Sequence, residues 1–207
     1  MRTRWALYMH IPCVRDCQRF ICVFLLAALA ASTRLVAADP YRHDASGFEC
    51  PDELAGLTRV RVDNYENEHP GLGIACKYRL LGDLFADVYI YTAGLKVVPS
   101  DVTHPSMSAL RAQTVKEIEE FAQSRGEHVR KLNEAIIQVD TGGGPISVFY
   151  NSFVITSTNG AARNTWLWLW TARKHVMKIR MTRPPAGDPD PKYVREFYET
   201  VVRMATN

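Results

Sequence analysis

Beyond residue 38 the chain has only two cysteines, Cys50 and Cys76, and no pair at CxxC spacing. That excludes a dithiol redox motif of the thioredoxin type. The chain has no apolar stretch of the ~20 residues that a membrane-crossing helix requires. Its apolar run at the N-terminus, Phe20 to Ala31, is about a dozen residues long. HExxH, GxSxG and Walker patterns are all missing, so no local motif announces a metalloprotease, a serine hydrolase or a phosphate loop. The segment "TGGGP" at 141–145 lacks the Lys and the following helix that such a loop needs, and reads as a strand connection. A surplus of base is lacking too. Of 25 Lys and Arg, five lie in residues 1–38, against one of the 22 acids, so residues 39–207 carry a net charge of −1. No concentrated basic face for nucleic acid is implied.

What is present begins with an export signal. Arg2, Arg4, Arg15 and Arg19 precede the apolar run, and Val36 and Ala38 stand at the −3 and −1 positions of a cut before Asp39. This is the layout of a cleaved signal peptide over residues 1–38, with translation starting at Met1 or Met9. Residues 39–207 then form one domain, periplasmic or secreted, with no membrane span. In an oxidising compartment Cys50 and Cys76 are expected to form a disulfide.

Residues 39–52 read as an irregular lead-in. "LTRVRVDNYE" alternates as a half-exposed strand, with Val60 and Val62 on one face. "NEHPGLG" is a turn. "IACKYRLLG" and "LFADVYIYTAGL" are two strands hinged at Gly82-Asp83, and the second sets Val88 and Ile90 against Tyr89 and Tyr91. Apolar residues at helical spacing predict a helix over Ser106 to Arg125, stopped by Gly126. Four strands follow: "LNEAIIQVD", "ISVFYNSFVITST", "ARNTWLWLWTARKH" and "VMKIRMTRP", with a hairpin at Asn159-Gly160. Asp190 as N-cap and Pro191 as N1 open a closing helix with the seam Val194, Phe197, Val201 and Met204. Strands in runs joined by short turns give an α+β fold: an antiparallel sheet of about six to seven strands with two main helices packed on it.

"LAGLTRVRVDNYENEHPGLGIACKYRL", "ADVYIYTAGL" and "WLWLWTARKHVMKIRMTRPP" together resemble an uncharacterised family of exported bacterial proteins, over most of residues 54–183. The order of elements is similar to the PsbP-like fold. The resemblance implies an exported α+β domain and brings no catalytic residues with it.

Four features compete for function. Trp166, Trp168 and Trp170 fall on one face of a strand, with Leu167 and Leu169 on the other. A strand apolar on both faces is usually central and covered twice, which makes the stripe core. Left uncovered, it is an aromatic platform for sugar or lipid. The basic row Arg173, Lys174, Lys178, Arg180 and Arg183 is either an anion site or the wet face opposite Met177 and Ile179. The acidic stretch Asp63, Glu66, Glu68 and His69 fits no metal-loop spacing and reads as a turn. The histidines are scattered, and no cofactor is implied. The expected function is binding of an envelope partner or small ligand without catalysis, with Trp166, Trp168, Trp170, Arg173, Lys178 and Arg180 as binding residues. A hydrolase with a site assembled in space, and a homodimer packed through the stripe, are the other two readings.

Overall fold

A computed structural model describes residues 40–80, 84–184 and 191–206. The signal peptide, the Gly82-Asp83 hinge and the Asp190 cap lie outside the described residues. The alternating segments form two antiparallel meanders. The first comprises β3 (Glu53–Leu54), β4 (Leu57–Asn64), β5 (Ile74–Leu80) and β6 (Leu84–Tyr91). The second comprises β7 (His128–Asp140), β8 (Pro145–Thr156), β9 (Ala162–Ala172) and β10 (His175–Arg183). β10 pairs with β6, so the two merge into one sheet of order β3-β4-β5-β6-β10-β9-β8-β7. This sheet has eight strands where six or seven were expected. The extra strand is β3, two residues long and too short to show a period in sequence.

The lead-in also contains a separate hairpin, β1 (Tyr41–His43) with β2 (Phe48–Cys50). It was expected to be irregular. Side chains rather than periodicity fix it: Phe48 and Cys50 are buried, and Cys50 is joined to Cys76 of β5 with Cα atoms 6.0 Å apart. Arg59 ties down the same segment by donating to Cys50 O at 2.8 Å and pairing with Asp52. In β4 a bulge between Arg59 and Arg61 breaks the strict alternation. Val60 is therefore 58% exposed, while Val62 packs against the core.

The two faces of the sheet carry separate cores. On one, Trp166, Trp168, Trp170, Met177, Ile179 and Met181 meet Val194, Phe197 and Val201 of helix α2 (Lys192–Thr206). On the other, Phe149, Phe153, Leu167, Leu169 and Val176 meet Met107, Ile118 and Ala122 of helix α1 (Pro105–Ser124). β9 is thus central and covered on both sides, as a strand apolar on both faces should be. Helix α1 starts at Pro105, with His104 Nδ1 accepting from Ser106 N at 3.2 Å. It ends at a left-handed Gly126 (φ 70°), and Glu127 N returns to Ala122 O at 2.9 Å.

Candidate functional site

Helix α1 covers β8 and β9 and leaves the neighbouring strands of its own face open at its flank. Strand parity decides what lies there. Residues two apart share a face, so Tyr89 and Tyr91 of β6 and Lys178 and Arg180 of β10 all point to the α1 side. In register Lys178 stands opposite Tyr89, and Arg180 opposite Asp87. A cleft of about 540 Å³ forms over them. Tyr89, Tyr91 and Lys178 make its floor, and Leu110, Thr114 and Glu117 of α1 make one wall. Tyr65 and the Pro70-Gly71-Leu72 turn make the other, with Ala93 and Gly94. A smaller chamber of about 220 Å³ continues toward Phe121 and Arg180, and shares Tyr89, Thr114, Glu117 and Lys178.

The acidic stretch builds that second wall. Asn64 Oδ1 accepts from Glu66 N at 3.0 Å, and the Glu66 carboxylate accepts from Gly71 N at 3.0 Å and Gly73 N at 2.8 Å. Gly71 O then receives Thr92 N and Ala93 N, docking the turn on the end of β6. Gly73 has φ 58°, and a Cβ there would lie 1.9 Å from Ile90 O, so only glycine fits. The turn reading of this segment holds, and no cluster of His, Cys, Asp and Glu suited to a metal occurs among the described residues.

The floor of the cleft is electrically uneven. Asp63 is taken: Lys77 Nζ lies 2.7 Å from it, and the Tyr65 hydroxyl donates to it at 3.1 Å. The Lys77 hydrogen bond holds its carboxyl below the usual range. Burial pushes the Asp87 carboxyl up, against the pull of Lys77, and the Tyr89 hydroxyl donates to it at 3.2 Å. Lys178 differs from both. Its ammonium rests over the Tyr89 ring at 4.3 Å and near the Tyr91 ring at 5.4 Å. No carboxylate lies within salt-bridge distance of it among the described residues. Burial pulls its pKa down, and Glu117 pulls the other way. Glu117 accepts a hydrogen bond from Gln113 Nε2 at 3.3 Å and is likewise outside any salt bridge among the described residues.

The sequence-predicted residues separate into three places. Trp166, Trp168 and Trp170 are 1%, 0% and 0% exposed. Trp168 stacks on Tyr198 of α2 at 4.9 Å, so the stripe is a wall of the core and offers no surface platform. Arg173 sits in the tight β9–β10 turn with φ 50°. It donates to Gly47 O at 2.8 Å and Met204 O at 3.2 Å, clamping the β1–β2 hairpin to the end of α2. These contacts place it away from the cleft. Lys178 and Arg180 alone line the cleft chambers. Neither is simply wet: both are half-buried beside α1. The members of the cleft that sequence reasoning missed as site residues are Tyr65, Tyr89, Tyr91 and Glu117. The shared parity of Tyr89 and Tyr91 was visible, but the flank of α1 that turns them into a cleft was not.

A nucleophile does meet a histidine, at Ser46 Oγ and His43 Nδ1, 2.8 Å apart. The same oxygen accepts from Phe48 N at 3.2 Å, closing the turn between β1 and β2. No carboxylate holds the His43 ring through a hydrogen bond among the described residues. The contact is that of a turn closure.

No protein-family model matches the chain, and no curated protein matches it. A solved structure does: the solution structure of cyanobacterial PsbP (CyanoP) from Synechocystis sp. PCC 6803. It superposes with a TM-score of 0.50 over 83% of this chain and 92% of that one, at 14% identity. At that identity the likeness concerns the backbone and not the site. The chain has a PsbP-like fold.

Proposed function

We propose that this protein is an exported, non-enzymatic binding module whose ligand enters the cleft between α1 and the β6–β10 part of the sheet. The observation that carries this reading is Lys178. An ammonium half-buried among tyrosine rings, with no carboxylate in salt-bridge contact among the described residues, is costly for a purely structural residue. A ligand bearing a negative group would relieve that cost. The size of the cleft, the apolar contributions of Leu72 and Leu110, and the few convergent polar groups are those of a small-molecule site. Export is supported by the N-terminal signal pattern and by the Cys50–Cys76 bridge, which suits an oxidising compartment. The notion of an uncharacterised exported family agrees with both.

Backbone chemical-shift mapping with a mixed set of small carboxylates, amines and phosphates tests the reading. The expected result is a set of perturbations confined to Tyr65, Tyr89, Tyr91, Leu110, Glu117 and Lys178. Perturbations gathered on the β7 edge or on α2 instead would move the site elsewhere.

A further inference from the structure

Lys178 and Glu117 face the same two chambers, one from the sheet floor and one from the helix wall. They lie close enough to interact electrostatically but not in salt-bridge contact. Lys178 is held over the Tyr89 ring instead of being drawn to the carboxylate. The neighbouring carboxylates are already engaged, Asp63 by Lys77 and Asp87 by the Tyr89 hydroxyl, and Arg180 lies over the Phe121 ring at 5.9 Å. The larger chamber therefore presents one cation on its floor and one anion on its helix wall, each without an ion-pair partner among the described residues, while Arg180 lines only the smaller chamber.

A simple anion would gain Lys178 but be repelled by Glu117. A simple cation would meet the reverse. Only a ligand carrying both signs satisfies both walls. In a free α-amino acid the two charges sit on one carbon, near enough together to bridge such a pair. The larger chamber extends from that point along Tyr65, Pro70, Leu72 and Leu110, which suits an apolar or aromatic body. Resting on the cleft reading above, we infer that the ligand is a small zwitterion with an apolar body, an aromatic α-amino acid being the simplest member. Its carboxylate pairs with Lys178, its ammonium with Glu117, and its side chain lies against the tyrosines.

A charge-deletion series on the full chain tests this. L-phenylalanine, 3-phenylpropionate and 2-phenylethylamine share a body and differ only in charge, and their affinities are read by titration calorimetry. The expected result is that L-phenylalanine binds at least tenfold tighter than either analogue. In Lys178→Met its advantage over 2-phenylethylamine should vanish, and in Glu117→Gln its advantage over 3-phenylpropionate should vanish. If 3-phenylpropionate or 2-phenylethylamine binds wild type as tightly as L-phenylalanine, the cleft reading stands and the zwitterion inference is overturned. If none of the three binds while other small molecules still map to the cleft, the inference again fails alone. If nothing maps to the cleft at all, both fail together. The wild-type comparison decides even if a variant does not fold.

Discussion

The two faces of this sheet are built from the same strands and have opposite fates. On the α2 face the inward positions from β5 to β9 are mostly apolar, and the three indoles are fully buried there beside Ser152 and Arg183. On the α1 face the apolar set stops partway across. Under α1 lie Phe149, Leu167 and Leu169; beside it lie Asp87, Tyr89, Lys178 and Arg180. A helix of 20 residues covers only part of an eight-stranded sheet. The sequence adapts to that limit by switching from leucine to tyrosine and charge where cover ends. The sealed face supplies stability, and the half-covered face supplies chemistry. Substitutions should divide the same way.

The largest effect should come from the sealed face. Trp168→Ala removes an indole that is fully buried and stacked on Tyr198. A loss of about 3–5 kcal/mol is expected in denaturant unfolding. A loss under about 1 kcal/mol would mean that the face is looser than described. Next comes the staple under it. Reducing Cys50–Cys76, which are 26 residues apart, should cost about 3.5 kcal/mol in the loop-entropy account. Unfolding curves with and without reductant read this directly.

A smaller effect is expected where α1 is tied to the sheet. Both Glu127 oxygens accept from Arg163, at 2.8 and 2.5 Å, and this holds the carboxyl below its usual range. The pair therefore contributes above the ordinary glutamate value of 4.5, and its contribution fades as pH falls through the lowered native value. Glu127→Gln should cost about 1 kcal/mol at neutral pH, since solvent partly screens the pair, and progressively less in acid. An equal cost at pH 3 and pH 7 would separate the bond from the charge.

The smallest effect sharpens the contrast most. Lys178→Met should be as stable as wild type, or more stable by no more than about 1 kcal/mol, because it removes a cation that burial penalises. The native lysine titrates below its ordinary value of 10.5, so wild-type stability rises with pH across that interval. The gain of the variant should shrink there and vanish above it. A clear destabilisation at neutral pH would make Lys178 a structural residue and remove the main support for the cleft.

Much of the fold was legible because period 2 and period 3.6 are local signals. Seven strands of the main sheet and both helices followed from them, as did the double cover of β9. What escaped was short or depended on distant contacts. β1, β2 and β3 have two or three residues each and are fixed by Phe48, Cys50 and Arg59. The bulge that exposes Val60 has no residue signature. The site was half legible. Parity put Lys178 and Arg180 on one face, but the basic row looked like a single feature. Folding sends Arg173 to a turn clamp, Lys178 and Arg180 to the cleft, and Arg183 to the indole face, where it lies 5.6 Å from the Trp166 ring. Glu117 could not be distinguished from the other acids of α1 until the helix was laid on the sheet.

The central claim is that the indole face is sealed, so that a ligand meets the protein on the α1 side. Tryptophan emission tests it most directly. Outside the stripe the chain has one tryptophan, Trp5, so a Trp5→Phe variant leaves only Trp166, Trp168 and Trp170 to report. The account predicts a blue-shifted emission that acrylamide barely quenches. A red emission, readily quenched, would mean that α2 does not close this face, and the stripe would replace the cleft as the place to look for a ligand.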